Sequence, residues 1–247
     1  MSSEWAVMLA TGAIFGLAGF VKGVIGLGLP AVGMGLLGLL MAPAEAAALL
    51  VLPSTVTNLW QVAAGPDVSG LLRRLWPLLL AAAVGTLLGS GWLSAGGAAA
   101  KGGLGLALAA YALVGLGRVR LAVPPRWEAA ASPAAGLLTG LVTAATGVFV
   151  IPAGPYLQAL GLDKEELIQA LGLSFTVSTL ALAAVLWRDG ALNSGALGGS
   201  TLALLPALGG MALGTLARRR VRAETFRLCF FGGLLALGAY LAGSAFA

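Results

Sequence analysis

The chain predicts an all-α polytopic membrane protein built from two inverted-topology repeats. Three observations carry this: scarce charge, apolar runs of spanning length, and an internal repeat. Of 247 residues, 59% are hydrophobic and 9% charged, whereas soluble domains are about 25% charged. With a mean hydropathy of +0.99 the chain lacks the polar surface a water-facing fold needs. A hydrocarbon core of about 30 Å takes about 20 helical residues, and several apolar runs reach that length. An outer-membrane barrel needs short alternating segments, which these Leu/Ala/Gly runs are not.

The repeat sets the domain organisation. GAIFGLAGFVKG (12–23) aligns with GLLTGLVTAATG (136–147), matching Gly12 to Gly136, Gly16 to Gly140 and Gly23 to Gly147. Glu45 then meets Glu166, and Thr55-Val56-Thr57 meets Thr176-Val177-Ser178. PLLLAAAVGTLLG (77–89) matches PALGGMALGTLAR (206–218), pairing Pro77 with Pro206, Gly85 with Gly214 and Thr86 with Thr215; at the same offset Tyr111 falls on Tyr240. Residues 1–117 form the first repeat, 118–132 a polar linker and 133–247 the second repeat.

Each half opens with a broken-helix or re-entrant pair, over 5–40 and over 133–161. The second pair has room only for two short helices, meeting near Ile151–Pro155, whereas the first is long enough for two nearly complete spans. Three helices follow in each half, at 44–64, 73–93 and 102–117, then at 166–187, 196–217 and 225–246. The total is 8–10 spans, depending on how the pairs are counted. A pair that returns to its starting side plus three crossings turns the second half upside down.

Charge gives the orientation. Arg218, Arg219, Arg220, Arg222 and Arg227 mark one loop as cytoplasmic. The linker with Arg118, Arg120 and Arg126 falls on that side, as does the turn with Arg73 and Arg74. Both termini are then expected outside. The start, MSSEWAVML, has no basic region or cleavage site, so no removed signal peptide is expected.

Composition also bounds the chemistry. A single cysteine, Cys229, and no histidine leave no internal disulfide, no His-based triad and no His metal site. No metal or cofactor is expected, and the net charge of +5 reports basic loops rather than a nucleic-acid partner.

Lys22 stands apart, an ammonium within FGLAGFVKGVIGLGLP (15–30). Placing such a charge at the centre of a membrane helix costs about 2.5–3.5 kcal/mol on insertion scales. The glycines after it and Pro30 point to a broken helix presenting a cation and bare amides to an anion. Ser54, Thr57, Asn58 and Gln61 recur at helical spacing and share one face. TAATGVFVIPAGPYLQ (143–158) and QALGLSFTVST (169–179) are the matching stretches of the second half.

The substrate-binding set read from these stretches is Lys22, Gly23, Gly26, Gly28, Asn58, Gln61, Thr146, Gly147, Ser174 and Ser178. It is expected to converge near the midplane, with no catalytic residue. Plainer readings stand beside it: Lys22 snorkels to a helix end, serines and threonines bond their own i−4 carbonyls, and glycines pack helices. Glu45, Glu165 and Glu166 read as helix-start carboxylates. An intramembrane enzyme would need Ser54 or Ser174 paired with Lys22. A third class is a non-transporting membrane subunit.

The pattern FVKGVIGLGLPAVGMGLL followed by PAEAAALLVLPSTVTNLWQ resembles the TauE/SafE permease family of sulfite and sulfonate exporters. GLLTGLVTAATGVFVIPAGPYLQALGL and QALGLSFTVSTLALA resemble its second repeat. Where the family's first motif often ends in a GGG run, this chain has Gly28-Leu29-Pro30. The resemblance implies a bacterial inner-membrane carrier of small sulfur-containing anions. The partners it implies are an anionic substrate and the bilayer, without nucleic acid; a homodimer stays open.

Overall fold

The computed structural model describes residues 2–117, 122–218, 220 and 222–246, so Arg118, Arg120 and Arg219 of the charge argument lie outside the described residues. Among the described residues there are ten helices and no strand: α1 (Ser2–Ile25), α2 (Leu29–Leu37), α3 (Pro43–Ala63), α4 (Val68–Leu88), α5 (Gly97–Leu116), α6 (Pro125–Thr146), α7 (Ala153–Ala159), α8 (Lys164–Arg188), α9 (Ser194–Ala217) and α10 (Ala223–Phe246). Eight of them, all but α2 and α7, are long and apolar enough to cross a membrane. Each half thus runs long, short, long, long, long.

Several boundaries differ from expectation, each for a local reason. The 118–132 stretch is not wholly linker, because α6 starts at Pro125, and a proline in the first turn has no intrahelical N–H to lose. The second broken pair is therefore one 22-residue helix plus a 7-residue one, not two short halves. The first is likewise a 24-residue helix and a 9-residue one, not two near-complete spans. α4 begins at 68 rather than 73 because Asp67 caps it, its carboxylate accepting from the Gly70 amide at 2.9 Å. It ends at 88, before Gly89 and the left-handed Gly91.

The predicted helix-start carboxylates do what was expected of them. Glu45 Oε2 accepts from the Ala42 amide at 3.3 Å and Glu166 Oε2 from the Asp163 amide at 3.2 Å. Other matched positions also behave alike. Thr55 and Thr176 donate to the carbonyls four residues back, as do Thr86 and Thr215. Tyr111 and Tyr240 do not, for the first is buried and the second exposed.

Packing between the halves follows one pattern used twice. α1 lies along α9, and α6 lies along α4. Gly19 abuts Ala207, while Gly23 abuts Met211, Gly214 and Thr215; Gly136 abuts Leu78, while Gly140 abuts Ala82, Gly85 and Thr86. These α9 and α4 positions are the repeat partners named above, so the two contacts coincide residue for residue. They place Gly136 and Gly140 in the roles of Gly19 and Gly23, seven residues along from the sequence alignment to Gly12 and Gly16. Two turns of helix explain the slip, since small residues recur at turn spacing on one face of both helices. Gly12 in fact faces open space.

Two counterpart pairs, α3 with α8 and α5 with α10, also pack together, and both run antiparallel. Gly105 meets Ala242 while Ala109 meets Gly238. Gly65 lies against Gln169 and Gln61 against Gly172. Bare glycine faces allow such close backbone approach, which drives helix association where lipid is as apolar as the side chains.

Candidate functional site

Gly26 and Gly28 adopt left-handed φ values of 77° and 105°, so the chain leaves α1 and starts α2 within three residues. A side chain at either position would be strained. Just before this break, in the last turn of α1, sits Lys22. Its side chain is 2% exposed, and its Nζ donates to Asn58 Oδ1 on α3. One turn on, Gln61 Nε2 donates to the Gly26 carbonyl at 2.7 Å. The polar face predicted for α3 is therefore real, and it clasps the end of α1: Ser54, Thr57, Asn58 and Gln61 are all buried.

From Lys22 a cleft of about 270 Å³ opens between α1, α3, α8 and α9, lined by Gly23, Gly26, Trp60, Gln61, Lys164, Glu165, Met211, Thr215 and Arg218 among others. Three cations, Lys22, Lys164 and Arg218, face it against the one carboxylate of Glu165. Arg218 also donates from Nε to the Val24 carbonyl at 2.9 Å and from Nη2 to the Gly23 carbonyl at 2.8 Å. It thus caps the carbonyl end of α1, where a cation is favoured, and rims the cleft. Lys22 sits beside these helix ends and not half-way along its helix. The carbonyl end of a helix and a neighbouring amide make that position far less costly for an ammonium than mid-helix lipid would be.

The ten predicted residues divide into groups. Lys22, Gly23, Gly26 and Gln61 line the cleft, with Asn58 against the ammonium. Gly28 caps α2, where a Cβ would meet Val21 and Phe230. Gly147, left-handed at φ 72°, ends α6 and belongs to a different space. That space is a cavity of about 10 Å³, one water at most, shared with Pro30, Ser54 and Thr179. Thr146 is committed to its own backbone, donating to Val142 and accepting from the Val148 amide at 3.2 Å. Ser174 and Ser178 are fully buried on α8 outside both spaces, and their hydroxyls have no partner among the described residues.

Asn58 Nδ2 and Gln61 Oε1 are also buried without a partner among the described residues. Unpaired buried polar atoms are costly, so each asks for a ligand or water. Among the described residues the second half has no such buried cation. By the packing register, Lys22 corresponds to Thr139, which accepts from the Ala153 amide at 2.9 Å and so ties α7 to α6.

Sequence reading missed Lys164 and Arg218. Each looked like an ordinary loop charge, and only the tertiary pairing of α1 with α9 and α3 with α8 brings them over the cleft. It also missed Gln169, which donates to the Val62 carbonyl at 2.8 Å and accepts from the Asp67 amide at 2.9 Å.

Eight helices long and apolar enough to cross a membrane, with a buried ammonium at a cationic cleft among four of them, are those of a polytopic membrane protein. The family model of the sulfite exporter TauE/SafE matches residues 11–241, nearly the whole chain, and the protein belongs to that family. No curated protein and no solved structure matches it.

Proposed function

We propose that the protein carries small sulfur-containing oxyanions, sulfite or sulfonates, across a bacterial inner membrane by alternating access, its two halves being inverted copies that rock against each other. The observation that carries this is the buried Lys22 ammonium at the base of a cleft whose other cations are Lys164 and Arg218. Family membership supports the substrate class. The antiparallel counterpart pairs, α3 with α8 and α5 with α10, support the inverted arrangement.

In this reading the rim cations draw the anion in, and Lys22 takes one oxygen. The amide of Asn58 donates from its free Nδ2, and the glycine backbone at 23–26 allows close approach. The cleft opens at the end bearing Arg218 and Lys164, the cytoplasmic side by the excess of basic residues, and both termini then lie outside. The tiny cavity at Ser54, Thr179 and Gly147 marks the path on the opposite side, closed in this conformation. Lys22 faces an amide as its partner, which fits an anion site better than a Ser–Lys dyad.

Flux of sulfite and methanesulfonate from liposomes containing the purified protein tests this. Transport saturating with either anion is expected in the wild type. Its absence for both, with intact folded protein in the bilayer, would overturn the proposal.

A further inference from the structure

A second, open groove of about 550 Å³ runs between α3 and α9, lined by Val56, Leu59, Trp60, Ala63, Leu208 and Met211. Trp60 and Met211 line both spaces. α3 and α9 run parallel here, since Ser200 meets Leu49 and Leu52 near the far end while the groove joins 56–63 to 208–211. The cleft takes the following turns of both helices, with Gln61, Ala64 and Gly65 on one and Thr215 and Arg218 on the other.

Polarity therefore changes from one space to the next. A cationic pocket at the helix ends adjoins, across Trp60 and Met211, an apolar trough. From Val56 to Ala63 the trough follows α3 for about 10 Å. The trough is open to the bilayer side, with Leu59 49% and Trp60 67% exposed.

Resting on the anion-carrier reading above, we propose that the substrate class includes amphiphilic anions: a sulfonate head at Lys22 with a medium-length alkyl tail in the α3–α9 groove. The two-part chemistry argues for one molecule as occupant. The head needs cations and amide donors, which line the cleft, while the groove is lined by aliphatic side chains, Met211 and the indole of Trp60, with no charged group. Bilayer lipid alone would account for the groove but not for its lying directly against a cation site. The tail contributes by burying apolar surface against Val56, Leu59 and Leu208, so affinity rises with chain length.

The test is binding of methanesulfonate and octane-1-sulfonate to the full chain in lipid nanodiscs, measured calorimetrically, with octyltrimethylammonium to correct for partitioning. Octanesulfonate is expected to bind at least tenfold tighter than methanesulfonate. Leu208→Trp and Ala63→Phe, which fill the groove without touching the cleft, should cut that advantage to under threefold and leave methanesulfonate unchanged. Methanesulfonate binding with no gain from chain length overturns this inference alone, leaving the groove to bilayer lipid. So does a gain that survives both groove variants. Binding of neither sulfonate overturns the carrier reading and this inference together.

Discussion

The Lys22 ammonium and the Asn58 side-chain oxygen are hydrogen-bonded across α1 and α3, both residues buried. This pair separates structure from function cleanly. A hydrogen bond to a charged group is worth about 1.5–3 kcal/mol, and 1.4 kcal/mol is about tenfold in an equilibrium constant. Lys22→Gln should lower anion flux by at least about tenfold while the protein still inserts and folds. Asn58→Leu should instead destabilise, because it leaves the ammonium buried and unpaired. Combining Lys22→Met with Asn58→Leu should restore thermal stability in detergent without restoring flux. Recovered transport in that double variant would remove the lysine from the mechanism.

Gly23 and Gly140 make the same contact in the two halves, each pressed on backbone atoms of α9 or α4. A methyl group there has no flexible neighbour to push aside, so the helices must part. Gly23→Ala and Gly140→Ala should each cost about 1–3 kcal/mol, the usual range for overpacking, and should lower the unfolding midpoint in detergent by similar amounts. Gly12→Ala, which faces open space, should be neutral. A large effect at Gly12 with none at Gly23 would contradict the packing register.

Much of this was legible in the chain, and the rest was hidden for definable reasons. Span number followed from hydropathy, and the polar face of α3 from the spacing of Ser54, Thr57, Asn58 and Gln61. The capping roles of Glu45 and Glu166 followed from their positions at helix starts. The repeat register did not, because glycines recurring on one helix face admit alignments two turns apart, and only contact with the partner helix chooses between them. Nor did the cleft's rim, since Arg218 and Lys164 are far apart in the chain and meet Lys22 only through tertiary packing. Whether Ser174 and Ser178 line the cleft is not legible either, because a buried hydroxyl on a membrane helix reads alike whether it faces a cleft or a neighbouring helix.

Pro53 lies inside α3 and, having no N–H, donates no hydrogen bond to the Leu49 carbonyl four residues back. Ser200, from the other half, satisfies it: its hydroxyl donates to the Leu49 oxygen at 2.8 Å and accepts from the Leu52 amide at 3.1 Å. Ser200→Ala should orphan that carbonyl and cost about 1–3 kcal/mol, read as a lower unfolding midpoint. Pro53→Ala in the same background should recover most of it, since the helix then supplies its own donor. A Ser200→Ala protein as stable as wild type would show the bond to be dispensable.

Topology can be tested residue by residue. The turn at 64–67 joins α3 to α4 on the cleft side, and the turn at 89–96 lies at the opposite end of α4. The second turn is also tied to the end of α8, through Ser94 Oγ donating to Asp189 at 2.8 Å and Arg188 donating to Ser90. Exposed Pro66 and Ala95 therefore mark the two faces. In a Cys229→Ser background, needed because that thiol is exposed, Pro66→Cys should resist a membrane-impermeant maleimide in intact cells and react in inverted vesicles. Ala95→Cys should show the reverse. The inverted arrangement demands more: since α8 runs antiparallel to α3, a cysteine at exposed Asp163, before α8, must label from the same side as Pro66→Cys. If position 163 labels with position 95 instead, the second half points the same way as the first, and neither the shared cationic cleft nor rocking of inverted halves survives.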